Sequence, residues 1–127
     1  MHDILCDLVL LILRPNHVKI HGTRYATGAI IRVKKPHEIE PYIGLNKDFI
    51  YCYIINIYIY KDFKIFETEV MNVLSFNEHL RTIEVGNTSQ HLWCCFDELF
   101  CNGVTHLLSK DACMYIVDKQ FWCILHD

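Results

Sequence analysis

The stretch Phe49 to Tyr60, FIYCYIINIYIY, constrains this chain more than any other. Ile, Tyr and Phe crowd it and no strong helix former interrupts it, which is the composition of a β-strand. Successive strand residues point to opposite faces, so a half-buried strand alternates apolar and polar positions. Here both alternating sets are apolar or aromatic, which is the pattern of a strand covered on both sides. Left as an open edge, this uncharged run of high β-propensity would be an aggregation site. The expectation is therefore a buried central strand in a mainly β domain. Its cover would come from a closed barrel, from the N-terminal segment or from another chain.

The flanking sequence points to a small antiparallel barrel or sandwich with one or two short helices. His17 to His21 sets Val18 and Ile20 against Lys19 and stops at Gly22-Thr23. Ala29 to Val33 alternates Ile31 and Val33 against Arg32 and Lys34, the pattern of a half-buried strand. Pro36 to Pro41 reads as a polar loop. Lys61-Asp62 supplies a turn, and Phe63 to Leu74 pairs back as a hairpin with Lys64, Glu67 and Glu69 toward solvent. Arg81 to Val85 reads as a short strand closed by Gly86-Asn87. Gln90 to Cys101 is ambiguous, because the acidic pair Asp97-Glu98 suits a short helix. Val104 to Leu108, a Ser109-Lys110-Asp111 turn and Cys113 to Val117 form another hairpin, and Phe121 to Leu125 a final strand or tail. Short strands punctuated this closely by turn residues favour a barrel or sandwich.

With 127 residues the chain fits one domain, 1–127. Within it, 1–15 reads as an apolar helix or strand, 17–85 as the barrel core, and 90–127 as a C-terminal hairpin and tail. A hydrophobic content of 52 % and a net charge of only -3 exclude a disordered chain. The N-terminal run Ile4 to Leu13 is apolar, but Asp3 and Asp7 replace the basic region of a signal peptide, and Arg14-Pro15-Asn16 replaces its small-residue cleavage site. The run is also too short to span a bilayer, so a core element and no membrane association are expected.

Partners are constrained by charge and cysteines. Twelve basic residues against fifteen acidic ones do not make the field that strong nucleic-acid binding needs. The densest basic stretch, Arg32, Lys34 and Lys35, reads as a solvated strand end. The seven cysteines are odd in number and irregularly spaced, and several lie in apolar runs. Reduced core thiols in an intracellular protein, nuclear or cytoplasmic, are the expectation.

Candidate chemistry is sparse. His91, Cys94, Cys95, Cys101, His106 and Cys113 invite a zinc site, yet the chain has no Cys-x2-Cys knuckle. Trp93, Cys94 and Phe96 as core residues beside surface histidines are the simpler reading. No cysteine-hydrolase pattern, phosphate loop or metalloprotease motif occurs, so neither an enzyme nor a bound cofactor or metal is expected. Glu67 and Glu69 share one face of a strand and read as solvated rather than catalytic. The aromatic surplus is more suggestive. Tyr42, Tyr51, Tyr53, Tyr58 and Tyr60 could line a cage for a cationic ligand such as methylated lysine, held by cation–π attraction. Sheet packing is the simpler account of them. Tyr42, Tyr51 and Tyr53 are the candidate ligand-binding residues.

A resemblance adds to this reading. The pattern Gly22-Thr23-x-Tyr25-x-x-Gly28-x-x-Ile31, then Pro41-Tyr42-Ile43-Gly44, Ile57-Tyr58-Ile59 and Phe76-Asn77-Glu78-His79-Leu80 up to Glu84-Val85 resembles a module of transposon-derived or zinc-finger-associated animal proteins. Its first half is also similar to the opening strands of bromo-adjacent-homology domains. Met114-Tyr115-Ile116-Val117-x-Lys119 resembles the closing strand. Gly44-Leu45-Asn46-Lys47-Asp48 departs from the usual direct run into the next strand. The resemblance implies a non-catalytic, chromatin-associated domain that binds a protein or peptide. Homo-oligomerisation and a zinc-stabilised or thiol-dependent enzyme fragment are the alternatives.

Overall fold

The uncharged run forms one continuous strand, and the fold is arranged around it. The computed structural model describes residues 11–36, 48–77 and 79–117. In chain order its strands are β1 (Ile12–Leu13), β2 (His17–Ile20), β3 (Thr23–Ala26), β4 (Ala29–Lys34), β5 (Phe49–Tyr60), β6 (Phe63–Asn77), β7 (Thr82–Cys95), β8 (Thr105–Lys110) and β9 (Cys113–Ile116). All pairings are antiparallel. The large sheet has the order β1-β5-β4-β8-β9-β7-β6, and β5 pairs with β6 as well. That last pairing closes β4, β5, β6, β7, β9 and β8 into a barrel-like ring. The β2–β3 hairpin forms a separate small sheet.

β5 serves two cores at once. Phe49 and Tyr51 join Ile30, Met71, Ile83, Val85 and Ile116, with Leu107 packed alongside, so every ring strand contributes to a cluster inside the ring. Ile50, Cys52, Ile54 and Ile57 point the other way, toward Ile31, Val33, Phe66, Val70 and Cys94. The β2–β3 hairpin covers that outer face with Val18, Ile20 and Tyr25. Its turn has φ of 49° at His21 and 83° at Gly22. Left-handed conformation at both central residues is the tight-hairpin geometry that matches strand twist. Tyr25 is fully buried, with its ring centroid 5.7 Å from that of Phe66. The expected two-sided burial of β5 is therefore met over residues 49–54, from inside the ring and from the hairpin. It is not met over the second half, where Ile57 alone is buried and the other residues from Ile55 to Tyr60 are half-buried.

Several local expectations need correction. β4 is not half-buried: Ala29 through Val33 are all buried, and Arg32 is only 3 % exposed. Arg32 shares the Ile30 side of β4, and the chain after β7 closes over it. Leu99 bridges to Val33, the Phe100 N–H donates to the Arg32 carbonyl at 2.9 Å, and Arg32 Nε donates to Cys101 Sγ at 2.8 Å. The basic stretch is thus no solvated strand end at Arg32.

β7 does not stop at Gly86-Asn87 but runs on to Cys95. The turn-forming residues are absorbed into a bulge, where the register jumps from Glu69↔His91 to Met71↔Asn87 and Ser89 takes a φ of 61°. Thr88 Oγ1 donates to the Val70 carbonyl at 2.6 Å and replaces part of the lost ladder. Gln90–Cys95 is therefore strand, and the helical element is one 3-10 turn, Phe96–Glu98. Its acidic residues sit where a short helix was expected.

Lys64, Glu67 and Glu69 are half-buried rather than exposed. The β8–β9 turn falls at Asp111-Ala112, overlapping the expected Ser109-Lys110-Asp111 turn only at Asp111, while Ser109 and Lys110 belong to β8. At the N-terminus, Ile12 and Leu13 are 41 % and 60 % exposed, so this end of the apolar run is an exposed strand on β5 rather than a core element. The ring also needs β8 and β9, beyond the 17–85 segment expected to hold it. Residues 1–10, residues 37–47, with most of the expected loop from Pro36 to Pro41, and Phe121 to Leu125 lie outside the described residues.

Candidate functional site: an aromatic and acidic face on β5, β6 and β7

Beyond the ring, the second half of β5, the first half of β6 and the end of β7 continue as a ribbon of three strands. Register places Asn56 opposite Glu67 and Glu67 opposite Trp93, with Tyr58 opposite Ile65 and Glu69 opposite His91. Directly opposed residues share a face. The other face of the ribbon carries Ile57, Phe66 and Cys94 into the outer core. That burial turns Asn56, Tyr58, Glu67 and Trp93 together onto the open side.

These side chains form one connected group. Asn56 Nδ2 donates to Glu67 Oε1 at 2.8 Å, and the Tyr58 hydroxyl donates to the same oxygen at 3.2 Å. The Tyr58 and Trp93 rings lie 5.4 Å apart between centroids, tilted by 32°. Trp93 is 56 % exposed. Arg14, just past β1, reaches onto this face from the chain's other end. Its Nη2 donates to Asn56 Oδ1 at 3.1 Å, and its guanidinium carbon sits 5.4 Å from the Tyr58 ring centroid. On the neighbouring rung His91 Nε2 stands 3.7 Å from Glu69 Oε1, an ion pair only when the histidine is protonated. The face therefore offers two ring surfaces, a carboxylate and an amide oxygen, and a guanidinium already rests there.

The sequence candidates fall elsewhere. Tyr51 is 4 % exposed, inside the ring, with its ring edge-on to Phe49 at 5.3 Å. Tyr53 packs half-buried against the same cluster. Tyr42 lies outside the described residues. Tyr58 and Tyr60 do meet cations, Arg14 in the first case and Lys61, 5.3 Å from the ring centroid, in the second. Sequence reasoning passed over Trp93, Arg14 and Glu67 as core, chain break and solvated strand. The alternation of Asn56, Tyr58 and Tyr60 against Ile57 and Ile59 was the available signal, since it separates an open face from a buried one.

The cysteine and histidine cluster does not assemble. Cys94 and Cys95 are strand neighbours and point to opposite faces. Among the described residues no group of three His, Cys, Asp or Glu side chains is placed to hold a metal. Cys52, Cys94 and Cys95 are also poorly suited to nucleophilic work. Burial pushes Cys52 from 9.0 to about 12 against a small lowering by Thr68. Burial raises Cys94 further, helped by Cys52 and Glu98. Cys95 lines a 350 Å³ cleft with His21, Asp62 and Lys64, but slight burial and then the Glu98 and Asp97 carboxylates raise its thiol too. An activated cysteine needs the opposite shift. Among the described residues no helix is long and apolar enough to cross a membrane. No family model, curated protein or solved structure matches the chain.

Proposed function

We propose that this chain is a non-enzymatic interaction module that binds a protein or peptide partner through the Tyr58–Trp93 face. The exposed indole carries the reading. A Trp left half in solvent, stacked on a Tyr and beside a hydrogen-bonded carboxylate, is the side-chain chemistry that dominates protein interfaces. An intracellular role, nuclear or cytoplasmic, in a transposon-derived chromatin-associated protein is the finer form of the proposal, and it rests on the sequence resemblance. The thiol-dependent or zinc-stabilised enzyme fragment has less support, since Cys52, Cys94 and Cys95 are shifted away from reactivity.

Selection of random displayed peptides on the immobilised protein tests the reading. Peptides enriched on the native protein and lost on Trp93→Ala, with an unchanged Tm, are the expected result. No enrichment above an unrelated β protein sinks it. Concentration-dependent sedimentation abolished by Trp93→Ala would make the partner a second copy instead.

A further inference from the structure

We infer that the Tyr58–Trp93 face binds an arginine side chain of its partner, and that Arg14 is an intramolecular stand-in for that arginine. The inference rests on the interaction-module reading and names the chemistry that the face selects.

The stand-in shows how the site reads a cation. A guanidinium is planar: its face can lie on an aromatic ring while an N–H at its edge donates a hydrogen bond. Arg14 sits over Tyr58 with its guanidinium carbon 5.4 Å from the ring centroid, while its Nη2 donates to Asn56 Oδ1 at 3.1 Å. A quaternary ammonium has no N–H to give Asn56. A lysine ammonium has donors but no flat face to lay on the ring. Glu67 supplies the negative charge, and its Oε1 fixes both neighbours through the bonds from Asn56 and Tyr58. Trp93, beside Tyr58, leaves more than half of its surface for the rest of a partner chain.

The stand-in is weakly held, which is what an exchangeable occupant requires. Arg14 is exposed and follows a strand of only two residues. A single exposed cation–π contact favours the closed arrangement by a factor of roughly two to five. An external arginine must compete with it, so its apparent affinity falls by about threefold to sixfold while Arg14 is present. The face is thus partly self-occluded, and whatever pulls the N-terminal segment away raises its affinity.

The test is a titration of the full chain, 15N-labelled, with Nα-acetyl-arginine amide, reading the indole N–H of Trp93. A Trp93→Phe spectrum assigns that signal. The expected result is a saturable shift that tightens about threefold to sixfold in Arg14→Gln and weakens in Glu67→Gln. Tetramethylammonium and Nα-acetyl-lysine amide should bind more weakly. Asn56→Ser replaces Glu67→Gln should the latter lower Tm. No saturable shift even in Arg14→Gln overturns the proposal. Equal binding of tetramethylammonium overturns the guanidinium assignment, and an unchanged affinity in Arg14→Gln overturns the stand-in. Displayed peptides that need Trp93 but carry no arginine would leave the interaction module standing and remove this inference alone.

Discussion

Tyr51 and Tyr58 stand on one strand and one face, yet they have opposite fates. Tyr51 lies where β4 and β6 flank β5 and the ring encloses its side chain. Tyr58 lies past the end of β4, where β1 replaces it, and it stays half-buried with the Arg14 guanidinium over its ring. The same residue type is core in one place and half-buried in the other. Tyr51→Ala should therefore act on stability, not on binding. Removal of a buried aromatic costs about 3–5 kcal/mol, so urea denaturation should show a much lower midpoint. Trp93→Ala should leave that midpoint nearly unchanged. Composition alone made all the tyrosines equivalent. Their separation depends on where a neighbouring strand ends, which is a tertiary fact.

The elements were legible wherever chemistry was local. β2 follows from Val18 and Ile20 alternating ahead of a glycine, though its partner β3 carries no such signal, and the β5–β6 hairpin follows from Lys61-Asp62 between two apolar runs. Turn residues misled where packing overrode them. Gly86-Asn87 would end a strand in isolation, but β6 lies alongside and the extra residues are taken up as a bulge. Gly86 also meets β6 closely there, since a Cβ on it would stand 3.3 Å from Leu74 Cδ1. The β8–β9 turn shows the converse. It is made by Asp111 and Ala112, both left-handed, with φ of 53° and 65°. Alanine pays a steric penalty in that region that glycine avoids. Ala112→Gly should stabilise the protein by about 0.5–1 kcal/mol after the entropy of glycine is counted. A higher urea midpoint with an unchanged slope is the expected reading, and a lower one would contradict the turn geometry.

At the scale of the whole molecule, the outer core holds two thiols, Cys52 and Cys94, that belong to the neutral state. Cys52 titrates near 12 when folded and near 9.0 when its burial is lost. The folded state therefore keeps a proton that the unfolded state releases. The stability this contributes is complete below pH 9, declines above it and is gone once pH passes the folded value. Between those limits each such thiol removes about 1.4 kcal/mol of stability per pH unit. Cys52→Val should flatten the alkaline loss by about that slope in denaturation curves at pH 9 to 11. An unchanged slope would mean that Cys52 is not buried as described. The same burial should leave Cys52 and Cys94 unlabelled by a thiol reagent under native conditions, while Cys113, less buried, reacts.

By itself the sequence determined that this chain is mainly β and that the first half of β5, residues 49–54, is covered on both sides. Both follow from side-chain volume and hydrophobicity, which act at every position regardless of fold. It also set the β5–β6 and β8–β9 hairpins, since tight turns depend on a few adjacent residues. What covers β5, the burial of Arg32, the joining of Arg14 to Tyr58 and Trp93, and the scattering of the cysteines were decided only by tertiary structure. Each depends on which strands become neighbours and where each stops. Pairing between distant segments is fixed by the packing of the whole ring, and no local pattern in the chain encodes it.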